Sequence, residues 1–317
     1  MNLAASFNKK YINYAIVMLT SFCESNTCHN EIFILHSELQ KEDIEKIENC
    51  LKKYDVKVNT IDVSADIENL KLPTTVDWSS EMYYRLFLPE KLPDNVDRVL
   101  YVDVDVIVHG ALDDLYFSDF EGADIMAALD SNNTNVMGNY TDKVREMLLP
   151  LYGEEFSYFN SGVLLMNIAQ MREHYSFSFY LKAMEEWDYE MAAPDQDILN
   201  YVHHDKVKII QWEKYDLFAK LAYNDGWSYE KVKKDNIIVH FAGTKPWSFD
   251  NTRYEIEKLW WDYAALTPIN IELMEVLLEQ ALSNPSLEKI VLQLEDGKEE
   301  YKKAINEAKQ IVDKLIR

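Results

Sequence analysis

A chain of 317 residues holds one large α/β domain or two small ones. Its 48% hydrophobic and 27% charged residues describe a globular protein rather than a disordered one. A formal net charge of −23 argues against nucleic acid or an anionic membrane as the main partner, so any phosphate must be held locally, by a metal or a few placed cations.

Met1 to Ser6 reads as a first strand and Tyr11 to Ser25 as the helix after it. That apolar helix follows Lys9-Lys10 but contains Asn13 and lacks a small-x-small cleavage site, so it is read as amphipathic rather than as a signal peptide. Cys23, Cys28 and Cys50 form no C-x-x-C pair and are odd in number, which fits a reducing cytosol. Glu31 to His36 is a second strand, Lys41 to Lys53 a helix with Ile44, Ile47 and Leu51 on one stripe, and Val56 to Val63 a third strand. This β-α-β-α-β opening predicts a mostly parallel sheet flanked by helices, with ligands bound beyond the carboxyl ends of the strands. The stretch Asp77 to Pro89 predicts a helix capped by Ser79 or Ser80, on which Arg85 is either a surface charge or the partner of a carboxylate or phosphate.

The central stretch runs Asp97-Arg98-Val99-Leu100-Tyr101-Val102-Asp103-Val104-Asp105-Val106-Ile107-Val108. It reads as a strand buried on both faces, then broken by two carboxylates. An ionised Asp in such a strand costs several kcal/mol unless compensated, and carboxylate oxygens suit Mg²⁺ or Mn²⁺, ions that often bridge to phosphates. Taken alone, D-x-D more often describes a strand ending in two solvated side chains.

Further on, Ala123 to Leu129 is a strand, and Asn132 to Tyr140 a polar, turn-prone loop over the site. Phe159 to Asn167 is a strand opening on a glycine-containing turn, where Gly162 permits either a close ligand approach or a bulge. Met171 to Trp187 is helical, and Ala193 to Asn200 starts another helix with Asp195 as its cap. The last strand, Asn236 to Phe241, ends at His240 and is followed by Gly243 and Lys245. From Tyr254 the pattern is helical, with a tail from about Ser286 expected to form a helical hairpin.

In this order, five groups of residues resemble glycosyltransferase family 8: Tyr84-Arg85-Leu86, Leu100 to Asp105, Phe159-Asn160-Ser161-Gly162-Val163, Asp195 to Asn200, and His240-Phe241-Ala242-Gly243 with Lys245-Pro246-Trp247. The resemblance implies a GT-A fold, Rossmann-like, over residues 1–250, with a helical C-terminal region over 251–317. It implies a retaining hexosyltransferase that moves glucose or galactose from a UDP-sugar to a saccharide, glycolipid or glycoprotein. Asp103, Asp105 and His240 would ligate Mn²⁺ or Mg²⁺ with both donor phosphates, and the backbone at Val104 and Gly243 would lie against the nucleotide. Lys245 would contact the diphosphate and Arg85 a phosphate or the sugar. Asn160, Ser161, Asp195 and Gln196 would line the donor sugar, with Gln196 nearest the anomeric carbon. Ser6, Asn8 and Tyr11 would hold uridine. The first loop lacks the acidic residue that usually precedes the family's Asn, leaving uracil recognition the open part of the assignment. The interval from His240 to Lys245 is one residue shorter than the commonest form.

Because an amide is a poor nucleophile, Gln196 favours same-face attack over a covalent intermediate, with Asp195 or Asp197 as nucleophile the lesser reading. Three rivals fit less well: a haloacid dehalogenase-type phosphatase, a nucleotide-sugar pyrophosphorylase, and a non-catalytic nucleotide-sugar-binding relic. The expected location is cytoplasmic. The weakly basic tail from Lys298 is compatible with peripheral contact at the inner face of a membrane.

Overall fold

The computed structural model describes residues 1–68, 70, 72–73, 80–130, 141–152, 157–243, 245–249 and 254–283. Two compact units divide the chain: Met1–Pro246 with Arg253–Ile269, and Trp247–Thr252 with Asn270–Arg317. In the second, Asn270–Leu282 is helical. Everything that follows concerns the first.

Its strands are β1 (Asn2–Ser6), β2 (Asn30–His36), β3 (Val56–Asp62), β4 (Val99–Val102), β5 (Val106–Val108), β6 (Ile125–Leu129), β7 (Phe159–Met166), β8 (Val207–Ile210), β9 (Leu217–Phe218) and β10 (Ile238–His240). Seven form one sheet in the order β3-β2-β1-β4-β7-β6-β8. All its pairs are parallel except those of β7, which runs antiparallel to β4 and β6. A second sheet has the order β5-β10-β9. The expected, mostly parallel sheet is therefore present, with the helices Ile12–Ser25 and Lys41–Leu51 between its first strands.

Three expectations are corrected and one is refined. The central strand ends at the two carboxylates as expected, with Val102 its last residue and Asp103 to Asp105 a turn, but Val106–Val108 beyond them is a separate strand in the second sheet. Two half-buried carboxylates break the ladder here, and the chain changes sheets at the break. Asn160-Ser161-Gly162 is no turn: all three lie inside β7. Ser80–Phe87 is a 3₁₀ segment with every residue from Met82 to Phe87 buried. Two positions on, Pro89 has no N–H to give the Arg85 carbonyl, so a regular α-helical ladder cannot run through. Met171 to Trp187 is interrupted: Asn167 caps Ile168–Met171, and Ser176, its hydroxyl accepting from the Phe179 N–H at 3.2 Å, starts Phe177–Glu186 afresh. The loop expected at 132–140, Ser79 and the tail from 286 lie outside the described residues. The helix Asp142–Tyr152 and the strand β8 have no counterpart among the elements expected from the sequence.

The core that carries the site is aromatic. Tyr83, Tyr84, Tyr101, Tyr158, Phe159 and Trp187 are fully buried, and Phe87 stacks on Phe177 with ring centres 3.7 Å apart.

Candidate functional site

Topology assembles the site at one end of the larger sheet. The parallel strands β1 and β4 finish there, at Ser6 and at Val102, just before Asp103. Because β7 runs the other way, its opening residues lie at the same end, and the Asp103 N–H donates to the Gly162 carbonyl at 2.9 Å. In the second sheet β10 is antiparallel to β5, so His240 pairs with Val106, and the Phe241 N–H donates to the Asp105 carbonyl at 2.8 Å. The two sheets thus bring the D-x-D turn and a histidine from 135 positions later into contact. One ligand atom each from Asp103, Asp105 and His240 lies within 4.8 Å of the others.

Around this cluster the charges are paired. Arg85, 3% exposed, donates to Asp103 Oδ1 at 2.8 Å, to the Ser161 carbonyl and to the Met82 carbonyl, and its Nε lies 3.0 Å from Asp195 Oδ2. Its guanidinium rests 4.2 Å from the centre of the Tyr101 ring. Burial opposes the Arg85 charge, but Asp103 and Asp195 outweigh burial and hold its pKa above the ordinary value. The choice left open by the sequence, surface charge or buried partner, is settled for the partner.

Lys245 donates to Asp105 Oδ2 and to the Phe241 carbonyl. Gly243, at φ +79°, makes the reversal that brings it back, a conformation costly for a side chain with a Cβ. Burial pushes Asp105 up, but Lys245 and His240 bring its carboxyl well below the usual range. Burial alone would lower His240; Asp105 and Asp216 reverse this and hold it up at about 10. Val104, between the two carboxylates, is buried.

The cluster suits a divalent cation on three grounds. Its donors are two carboxylates and an imidazole, a set that takes Mn²⁺ or Mg²⁺. Four carboxylates (Asp103, Asp105, Asp195 and Asp216) are matched by Arg85, Lys245 and His240, and a divalent ion that takes the place of the His240 proton would offset the remaining negative charge. Room is kept by Gly162, where an added Cβ would meet His240 Cε1 at 2.4 Å and Asp103 Oδ2 at 3.1 Å.

Beside it, the Pro194–Val202 helix delivers Asp195 and Gln196. Asp195 is not its cap: Ala193 holds that position, and Asp195 faces Arg85 and accepts from the Ser161 hydroxyl at 3.1 Å. Burial pushes Asp195 up despite Arg85. The Gln196 Oε1 accepts from the Ser161 N–H at 2.9 Å and from Asn160 Nδ2 at 3.1 Å, while its Nε2 donates to Asp130 at 3.1 Å. Asp197 takes the N–H groups of Ala192 and Ala193 at 2.7 and 2.9 Å and the Tyr158 hydroxyl at 2.5 Å. Asn200 bonds to both backbone groups of Phe159, pinning the helix to β7.

Burial pushes the Asp197 carboxyl up from 3.8 to about 6, against the bonds from Tyr158 and the backbone. Its folded form holds a proton more tightly than its unfolded form, so its contribution to stability is greatest below about pH 4 and falls as pH rises through 6. Asp197→Asn is expected to remove that fall. The difference in denaturation free energy between variant and wild type should move by on the order of 3 kcal/mol between pH 4 and 7. A difference that stays constant with pH would count against the assignment.

Ser6 lies next to the cluster: its hydroxyl donates to the Glu81 carbonyl at 2.8 Å and is 2.7 Å from Tyr101 Oη, which bonds Asp103 Oδ1 at 3.0 Å. Asn8 and Tyr11 are occupied within the first loop. The Asn8 side chain accepts from the Lys10 N–H at 3.1 Å, and Tyr11, 40% exposed, stands edge-on to Tyr14. Tyr101, Asp130 and Asp216 join the site without having been expected there. For Tyr101 a signal exists in the sequence, since it shares a face with Asp103 two positions on. Asp130 and Asp216 carry none.

Residues 2–251 match the model of glycosyl transferase family 8. The chain is 28% identical over 262 residues to a lipopolysaccharide 1,2-glucosyltransferase of Escherichia coli, covering 78% of this chain and 73% of that one. It is 26% identical over 292 residues to glycosyltransferase GlyB of Streptococcus pneumoniae, covering 89% of this chain but only 64% of the relative's length. Among solved structures, galactosyltransferase LgtC in complex with donor and acceptor sugar analogs superposes with a TM-score of 0.67 at 22% identity, over 84% of this chain and 96% of the other. That likeness carries the fold, a GT-A-like Rossmann sheet with C-terminal helices. With the family model spanning most of the sequence and the D-x-D turn, the histidine and the helix of Gln196 converging at one sheet end, the chain belongs to glycosyl transferase family 8.

Proposed function

We propose that the protein moves a hexose, glucose or galactose, from a UDP-sugar to a saccharide acceptor, free or on lipid or protein, with retention at the anomeric carbon. The observation that carries this reading is the Asp103–Asp105–His240 cluster with Lys245 against it, a place for a divalent ion and a diphosphate side by side. The printed functions of the relatives, glucosyl and galactosyl transfer onto lipopolysaccharide among them, agree with it.

Departure of UDP leaves negative charge on phosphate oxygens, and a bound Mn²⁺ or Mg²⁺ would stabilise that charge as a Lewis acid. Lys245, released from Asp105 as a phosphate arrives, adds a second positive charge at the leaving group. Arg85, bonded to both, holds the Asp103 and Asp195 carboxylates in place. Neither carboxylate of the helix is disposed as a nucleophile. Asp195 is tied to Arg85 and Ser161, and Asp197 to Tyr158 and two backbone N–H groups. Gln196 has its oxygen committed to β7. This supports same-face attack, in which the acceptor hydroxyl forms the new glycosidic bond as the sugar–phosphate bond breaks and its proton passes to a leaving phosphate oxygen.

Calorimetric titration of UDP into the protein tests the reading. Binding is expected with Mn²⁺ and is expected to vanish with EDTA or in Asp105→Ala. Binding that survives both treatments would overturn the metal-bridged site.

A further inference from the structure

Behind the cluster lies a carboxylate that the chemistry above leaves unused. Asp216 is 2% exposed, and its Oδ1 is 2.9 Å from His240 Nδ1. The other oxygen, Oδ2, is buried and has no hydrogen-bond partner among the described residues. A buried carboxylate satisfied on one oxygen only is a net cost to folding, so stability is a poor explanation for its presence. Its surroundings point to the imidazole instead. Asp216 immediately precedes β9, which pairs in parallel with β10, so that Phe218 lies opposite His240. The Phe218 ring stands edge-on to the histidine with centres 5.0 Å apart. A hydrogen bond on one nitrogen and an aromatic ring beside it leave the imidazole one orientation. With Nδ1–H given to Asp216, Nε2 faces the cluster, where Asp105 Oδ1 lies 3.4 Å away, and a cation bound there would take the place of the Nε2 proton.

We propose that Asp216 is a positioning residue that fixes His240 in its Nδ1–H tautomer, aims Nε2 at the cation, and raises the affinity of the cluster for a divalent ion. Partners of this kind typically carry a tenfold to hundredfold share of metal affinity, because they remove the ligand's rotational freedom and make it more basic. The inference rests on the reading of Asp103, Asp105 and His240 as a metal site.

The test is Mn²⁺ binding to the metal-free full-length protein without donor, followed by the paramagnetic resonance signal of free Mn²⁺. Wild type is compared with Asp216→Asn, Asp216→Ala, His240→Ala and Asp105→Ala, alongside the thermal midpoint of each metal-free protein. Asp216→Asn keeps shape and the hydrogen bond but loses the charge, and is expected to weaken Mn²⁺ about tenfold; Asp216→Ala loses both and should approach a hundredfold. Neither should lower the midpoint enough to account for this. Wild-type affinity in both Asp216 variants, with loss in His240→Ala and Asp105→Ala, would overturn the role of Asp216 while leaving the metal site standing. A fallen midpoint with unchanged Mn²⁺ affinity would make Asp216 structural only. No Mn²⁺ binding by wild type would remove the underlying site and the inference with it.

Discussion

Gly162→Ala is expected to cost about a hundredfold or more in turnover and a comparable part of Mn²⁺ affinity, although it adds one methyl group. The new Cβ would sit 2.4 Å from His240 Cε1, 2.9 Å from Asn160 Oδ1 and 3.1 Å from Asp103 Oδ2. Side chains often yield to such a clash, but these are tied. Asp216 holds His240, Arg85 and Tyr101 hold Asp103, and Asn160 accepts from the Gly162 N–H while donating to Gln196. The methyl group must displace at least one of them, and displacement of about 1 Å in a reacting site is enough for a loss of about 10²-fold. Overpacking should also cost about 1–3 kcal/mol of stability. Steady-state kinetics on UDP-sugars, with denaturant unfolding of the same preparation, would check both. Wild-type activity in the variant would mean that His240 moves freely and is no fixed ligand.

Arg85→Met should be the most destabilising single change in the site, by about 3–5 kcal/mol. The arginine is enclosed, and its two carboxylate partners, Asp103 at 2.8 Å and Asp195 at 3.0 Å, would be left without their shared counter-charge. On a protein of this size that corresponds to a fall in melting temperature on the order of 10 °C. Arg85→Lys would not restore it, since one ammonium cannot serve two carboxylates and the Ser161 carbonyl in the places a guanidinium fork reaches. The sign of the pH dependence offers a second check. Burial already pushes the Asp195 carboxyl up, and removing Arg85 removes the influence that opposes this. The variant's deficit should therefore shrink as the pH falls and Asp195 takes a proton. A deficit that grows in acid would contradict the ion-pair account.

Most of the site is legible in the amino-acid sequence, because its residues sit in short local patterns whose chemistry is unusual. Two carboxylates in an apolar run, an arginine among aromatic residues, and a histidine at a strand end before Gly243 and Lys245 each break a local rule. Such breaks concentrate where function is. What escapes is of two kinds. Caps and boundaries fail where one residue redirects the backbone, as Pro89 does after the 3₁₀ segment and Ser176 does within the helical stretch. Positions without a local anomaly carry no signal at all. Asp216 in Tyr215-Asp216-Leu217 looks like any loop carboxylate, and Asp130 like the end of β6.

The order of residues alone thus establishes the element types of the first three strands and the helices between them, and it singles out the D-x-D pair with Arg85, Asp195, His240 and Lys245, ionisable residues that the fold brings together. Hydrophobic periodicity and the cost of burying charge act within a few residues, so a linear reading can follow them. Tertiary packing was needed to split the central stretch between two sheets. It was needed also to run β7 against its neighbours, which brings Gly162 to Asp103, and to enclose Arg85 between two aspartates. Above all, it placed Asp216 behind His240. Those relations are set by strand pairing between segments far apart in the chain, where register depends on how whole sheets pack and no local pattern records the partner.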